Sequence, residues 1–361
     1  MDDKVAYDDV KQFISDAIVA RSRDEIPDYL KPSKYWLDFC KFSAYVRRLD
    51  NQELGHIRNH TWHLTGDSYQ SYYFGSPVEN RCLAEEYEYL VGRLGIELRM
   101  GEDERGIGFD TRWGKLNRDR IRHLQVLVDL REHGAFSSDR PQTLLEIGGG
   151  FGGLAAVIMS YNPAVTYVLL DLEETLFYQA IYLSNTFGRE RVVLCDQGRP
   201  MPQLEPGRFY LVPQAQYQLI ENVKFDLAIN QQSMQEMNQL QVDHYCNLLE
   251  RTSVLFYSAN LDQHSQTVQD EKKIVAGLNA FLLGRFGPVL WDSYRDDSPI
   301  LRLLRRWRTI NSAIYHIKLL MSRSSAASRL YRLVRREPLR RFSDFNLQRL
   351  ILRCAPIHKS S

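Results

Sequence analysis

Gly148, Gly149, Gly150, Gly152 and Gly153 crowd into one short stretch with Phe151 among them. The apolar run TLLEI (143–147) precedes it, and LAAVIMSY (154–161), which has helical spacing, follows it. Glycines allow a tight turn and let a ligand press against bare backbone. A strand before such a loop and a helix after it is the setting of nucleotide binding. Two carboxylates frame the stretch, Glu146 inside the apolar run and Asp171 at the end of the next one, TYVLLD (166–171). The chemistry suggested is recognition of a nucleoside-bearing cofactor.

Two cofactors compete for this loop. Gly148, Gly150 and Gly153 fit G-x-G-x-x-G, and Asp171 lies 18 residues past Gly153, where the ribose-binding acid of a dinucleotide fold belongs. Glu146, Gly148, Gly150 and Gly152 fit E-x-G-x-G-x-G, the pattern of S-adenosylmethionine-dependent methyltransferases. Glu146 separates the two readings. An unpaired carboxylate at the buried end of a strand costs several kcal/mol, so a cation or ordered donors must face it. S-adenosylmethionine carries an ammonium and a sulfonium, whereas the pyrophosphate of NAD would be repelled. The methyl donor is therefore expected. An NAD-dependent oxidoreductase and a catalytically inactive methyltransferase-fold scaffold at a membrane are the alternatives.

LLEIGGGFGGLA, YVLLDLEETLFYQAIYLSNTFG and FDLAINQQSMQEM together resemble the sugar O-methyltransferases, bacterial proteins found with glycan or glycosylated natural-product biosynthesis. The resemblance covers roughly 115–260, extends more loosely to YWLDF…IRNHTWHLTG, and has NQQSMQEM as its more specific mark. It implies a Rossmann-like class I methyltransferase sheet and transfer of a methyl group to a sugar hydroxyl. The acceptor would be a sugar or glycan, free or lipid- or nucleotide-linked, and no nucleic acid. In that fold Gly148, Gly150 and Gly152 line the methionine part of the donor and Glu146 orders the loop. Asp171 accepts the ribose hydroxyls, its alternative being a helix N-cap. Asp196 or Gln214 would meet the adenine, depending on whether RVVLC (191–195) or RFYLVP (208–213) is the third strand. Asn230 to Met237 would face the transferred methyl, with Asn230 on the cofactor side and Ser233 and Glu236 toward the acceptor.

A sugar hydroxyl holds its proton far too tightly at neutral pH to attack unaided, so a base must take it. Glu236 is the first candidate, acting directly or by orienting a histidine. Its alternative is a first-turn carboxylate favoured by the helix dipole. His60 and His264 are further candidate bases, and Arg58, His63 and Tyr72 join Ser233 as acceptor contacts. His56, His60 and His63 cluster as a metal site would. Magnesium prefers oxygen ligands, however, so no metal site is assigned.

Elements must bring these residues together. The first hundred residues space their apolar positions helically in 35–49 and 82–95, around a His- and Tyr-rich stretch read as a loop or lid. LNRDRIRHLQVLVDLREHG predicts a helix with Ile121, Leu124, Leu127 and Val128 inward. Short apolar runs without alternation then alternate with helices to about residue 260, which predicts a parallel sheet covered on both faces. PVLWDSY and SPILRLL are expected to form an antiparallel hairpin at its edge. The expected organisation is a helical N-terminal cap over 1–114, a cofactor-binding α/β domain over 115–305 and a basic helical tail over 306–361.

The chain has 361 residues, 44% apolar and 25% charged, which excludes collagen-like, coiled-coil and wholly disordered classes. No apolar run reaches the roughly 18 residues of a membrane span, and the acidic N-terminus does not read as a secretory signal. Five scattered cysteines without a C-x-x-C pair read as reduced thiols, so a cytoplasmic location is expected. The net charge of +1 hides 15 basic and two acidic residues after position 300, against 31 and 43 before it. Ile310, Ile314, Ile317 and Met321 on one helical face and Arg329, Arg332 and Arg336 on another suit a helix on an anionic membrane, or one packed on the acidic body.

Overall fold

The structure is a computed structural model, described over residues 7–23, 26–64, 77–95, 101–196, 198–261, 278–293 and 347–354. Helix α1 (Asp8–Arg23) places Asp8 and Asp9 at its positive N-terminal end. Helix α2 (Lys34–Ser43) starts at Ser33, whose side chain accepts from the Trp36 N–H. A capping box between Asp50 and Glu53 opens α3 (Asn51–Gly55), and α4 (Pro77–Leu94) begins on proline. The helix expected over 35–49 tightens into a 3₁₀ turn at Ala44–Arg48. Residues 57–64, read as loop or lid, instead form the 3₁₀ turns Ile57–His60 and Trp62–Leu64, with Ile57, Arg58 and Thr61 buried. The remainder of that stretch, with Tyr69, Tyr72 and Tyr73, lies outside the described residues.

A hairpin of β1 (Phe109–Thr111) and β2 (Gly114–Leu116) leads into α5 (Arg118–Glu132), capped by Asn117. Ile121, Leu124, Leu127 and Val128 are buried as expected. Asp119, Arg120, Gln125 and Asp129 are buried as well, because α5 packs against both α4 and the helix Gly153–Tyr161. Then follow β3 (Thr143–Ile147), α6 (Gly153–Tyr161), β4 (Thr166–Asp171), α7 (Glu173–Phe187), β5 (Val192–Leu194), β6 (Phe209–Pro213) and β7 (Phe225–Gln231). The chain continues through α8 (Gln239–Thr252), β8 (Ser253–Leu261), α9 (Leu278–Arg285), β9 (Gly287–Ser293) and β10 (Leu347–Arg353).

The strand order is β5-β6-β4-β3-β7-β8-β10-β9. The pairs from β5 to β8 are parallel, and β10 runs antiparallel to both its neighbours. Helices cover both faces, making the Rossmann-like sheet that the resemblance implied. On β3, Leu144 enters the core shared with the cap and α7, while Leu145 and Ile147 enter the core under α8 and α9. Both faces being dry explains the unbroken apolar runs. From β3 the chain builds outward first through β4 and β6, then on the other side through β7 and β8. Such a reversal opens a crevice at the carboxyl ends of the strands.

RVVLC and RFYLVP are both strands, but β6 pairs with β4, so the third position belongs to 209–213 and β5 is an outer edge. SPILRLL, the expected hairpin partner of PVLWDSY, lies outside the described residues; β9 pairs antiparallel with β10, which corrects the reading of 347–353 as part of a basic helical tail. Leu350 and Leu352 fill one core and Ile351 the other, while Arg349 is buried against Asp129 of α5. Three consecutive apolar residues buried on opposite faces need a central strand, which a surface helix cannot provide. Residues 294–346 lie outside the described residues. Among the described residues no helix is long and apolar enough to cross a membrane.

Candidate active site

The carboxyl ends of β3, β4, β6 and β7 open into a cavity of about 270 Å³. Its floor is Gly148–Gly150, and Pro32, Ser33 and Trp36 of the cap close over it. Gly148 has φ +75°, and a Cβ there would stand 2.2 Å from the Ser233 Oγ, so only glycine lets the loops after β3 and β7 touch. Gly150 has φ +59°, and a Cβ on it would meet nothing within 4 Å, so open space lies against its backbone. Gly152, expected to line the donor, instead caps α6 and faces Leu183.

Glu146 is buried at 2% exposure and lines the cavity. Among the described residues its hydrogen-bond donor is the Tyr167 hydroxyl at 2.8 Å. Burial pushes its carboxyl up to about 8. Asp171 ends β4 beside it, accepting from the Leu172 N–H at 2.8 Å and from the Gln179 side chain at 2.7 Å. Its carboxyl is pushed up to about 7 by burial, against the pull of these donors and of the Gly149 and Gly150 amides. Gln179 also donates to the Gly150 carbonyl at 3.1 Å, so α7 fastens the loop and the acid together.

Glu236 lies on a 3₁₀ turn, Met234–Glu236, just beyond β7. Its Oε2 accepts from the Trp36 indole N–H at 2.9 Å. Burial pushes its carboxyl up to about 7, and the indole hydrogen bond opposes that shift. Gln231, Gln232, Gln235, Gln241 and Tyr245 complete this end of the cavity. Gln232 holds a left-handed backbone, φ +60°, uncommon for a residue with a side chain. Ser233 also lines the cavity, but its hydroxyl donates to the Ile147 carbonyl at 3.1 Å. Asn230 is fully buried, donates to the same carbonyl at 2.8 Å and accepts from the Met234 N–H at 3.1 Å. It fastens the loop from behind and does not line the cavity.

Other expected site residues are placed elsewhere. Arg58 is buried outside the cavity, bound to both oxygens of Glu102 at 2.8 Å, to Asp119 at 3.3 Å and stacked 3.7 Å over the Phe151 ring. A guanidinium so engaged supports the glycine loop and cannot meet an acceptor. His60 hydrogen bonds to the Tyr45 hydroxyl at 3.0 Å away from the cavity, and burial lowers its pKa. Asp196 follows the outer strand β5 and accepts from the Gly198 N–H, whereas Gln214, after β6, lines the cavity, so of the two residues expected near an adenine only Gln214 borders it. The His63 side chain, Tyr72 and His264 lie outside the described residues. Among the described residues no three His, Cys, Asp or Glu side chains gather as a metal-binding group.

The sequence reading missed Trp36 and His123 as cavity residues. His123 sits one turn after Asp119 on α5, and Asp119 and Arg122, themselves paired at 2.6 Å, line the cavity with it. Burial lowers the imidazole to about 3, so it is neutral. The i, i+4 spacing of Asp119 and His123 was the available signal.

No family model matches the chain, and no curated protein matches it. Among solved structures it is similar to a carbon methyltransferase, CurJ, with 10% identity over 66% of this chain and 54% of that one, TM-score 0.37. A Haemonchus contortus phosphoethanolamine N-methyltransferase 2, in complex with S-adenosylhomocysteine, matches at 14% identity over 83% and 60%, TM-score 0.37. A proposed RNA methyltransferase of Pyrococcus horikoshii matches at 11% identity over 58% and 83%, TM-score 0.33. The chain thus spans between half and two thirds of the first two. The fold assignment rests on the strand order, which is that of a class I methyltransferase sheet, and not on these likenesses.

Proposed function

We propose that the chain is an S-adenosylmethionine-dependent O-methyltransferase whose acceptor is a sugar hydroxyl. The observation that carries this reading is one cavity holding both a glycine loop with two buried acids and, beyond it, a carboxylate poised near neutrality. The residues present fit the donor. The Gly150 backbone borders open space for the donor, Asp171 at the end of β4 would accept its ribose hydroxyls, Gln214 at the end of the third strand would meet the adenine, and Glu146 would face a cationic group. These acids disfavour a pyrophosphate. When bound, the donor supplies an electrophilic methyl group on a sulfonium.

Glu236 takes the acceptor's hydroxyl proton. A base with a pKa near 7 combines a useful ionised fraction with real proton affinity, which general base catalysis requires. Around it Gln231, Gln232 and Gln235 give the cavity a polar, amide-bearing lining, and Trp36 supplies an apolar face. That lining suits a polyol better than a hydrocarbon acceptor. Family resemblance, with NQQSMQEM as its mark, supports the same acceptor class.

The test joins binding and turnover. Calorimetric titration should give binding of S-adenosylhomocysteine and none of NAD; the reverse result would replace the reading with a dehydrogenase. A panel of sugars, nucleotide sugars and short RNAs should yield methylation within the sugar set. Glu236→Gln keeps the side chain's size but takes no proton, so turnover should fall about 10²–10⁴-fold with donor affinity nearly unchanged. Wild-type turnover in that variant would remove Glu236 from the mechanism.

A further inference from the structure

We propose that Trp36, on the N-terminal cap, is a positioning residue for Glu236, holding one carboxylate oxygen so that the other faces the acceptor. The inference rests on the reading of Glu236 as the base. Among the described residues, the indole N–H is the hydrogen-bond donor to this carboxylate, 2.9 Å from Oε2. The two residues are 200 positions apart, so the contact exists only where the cap docks on the sheet.

The cap segment is secured at three further points around the same cavity. The Gln214 side chain donates to the Leu30 carbonyl at 3.0 Å, and the Gln241 side chain donates to the Lys31 carbonyl at 3.0 Å. Trp36 packs edge-on against Phe39 at 5.0 Å, and Phe39 is buried against Tyr178 of α7. The indole is therefore aimed by packing, and it can only donate. It cannot compete with Glu236 for the acceptor's proton. Among the described residues one oxygen of the carboxylate is occupied, and the second is left for chemistry.

The hydrogen bond also favours the ionised carboxylate, which is the form a base needs. Other charged or titratable groups around the cavity are Asp119, Arg122 and His123 of α5, Glu146 and Asp171 at the ends of β3 and β4, and Tyr245 of α8. His123 is neutral, and burial pushes the Glu236 carboxyl upward, so the neutral indole donor acts against that burial. A docked cap thus makes Glu236 both better aimed and more readily ionised.

The test is a carbon-13 NMR titration of the Glu236 carboxyl in the full chain without acceptor, its signal assigned by its loss in Glu236→Gln. Trp36→Phe keeps an aromatic ring and removes the donor. The titration midpoint should rise by about 1–2 pH units, the size of one hydrogen bond to a charged group. An unchanged midpoint in the folded variant would overturn the proposal. Should Trp36→Phe fail to fold, a benzothienyl side chain at position 36 keeps the shape of indole without its N–H and must give the same rise. Because the readout needs no turnover, it fails or succeeds separately from the Glu236→Gln activity test. With a methyl acceptor in hand, the rising limb of kcat against pH should move by the same amount. A purely structural loss would lower kcat at every pH.

Discussion

Glu146 is the most consequential buried carboxyl of the site, since its single hydrogen-bond donor among the described residues, Tyr167, is neutral. Burial pushes its carboxyl up to about 8 in the folded chain, from an ordinary 4.5. Between those values the folded protein holds a proton that the unfolded chain releases. Its contribution to stability is therefore lost as pH rises through that window. Glu146→Gln removes the titration while its amide oxygen still accepts from Tyr167. Thermal denaturation without ligand should give a variant whose melting temperature, relative to wild type, is higher at pH 8 than at pH 5. An equal difference at both pH values would mean that Glu146 does not titrate there. At this scale the sequence was informative where a residue's role is set by its neighbours in the chain. Glu146, Gly148, Gly150 and Asp171 follow from strand–loop spacing, whereas Arg58 looked like an acceptor contact because its partners, Glu102 and Asp119, lie 44 and 61 positions away.

Among the elements, β10 departs most from its sequence reading. Basic residues around it disguise a strand that fills the space between β8 and β9. Arg349 is buried with Asp129, which also accepts from the Tyr257 hydroxyl at 3.3 Å. Removing one member of a buried pair leaves the other charge unpaired, a loss of about 3–5 kcal/mol. Arg349→Ala should therefore lower the urea midpoint sharply. A solvated tail arginine would change stability by no more than about 0.5 kcal/mol. The parallel strands from β3 to β8 were legible because their apolar runs are continuous and punctuated by helices. A strand arriving after a long intervening stretch has no such local frame.

For the whole molecule, the cap and the sheet share one core. Tyr7, Val10 and Ile14 of the N-terminal segment belong to the same buried cluster as Leu144 and Leu176. Arg21 of α1 pairs with Glu173 and Glu174 at the start of α7, and the Asn185 side chain donates to the Leu54 carbonyl at 2.9 Å. The division at residue 114 expected from the sequence is thus crossed by packing and by buried ion pairs. Scanning calorimetry should show one unfolding transition, with calorimetric and van't Hoff enthalpies equal. Two resolved transitions would mean that the cap folds as a separate unit.

By itself the sequence determined the glycine loop, the two acids around it, the alternation of strands and helices, and Glu236 as a candidate base. These depend on spacing within a few turns of chain. Tertiary structure decided that β6 and not β5 is the third strand, and that β10 completes the sheet. It also decided that Asn230 and Arg58 support the site from behind, and that Trp36 and His123 line the cavity. Those outcomes depend on which distant segments compete for the same buried surface and the same hydrogen-bond partners. That competition is settled by packing across the whole chain, and local spacing carries no record of it.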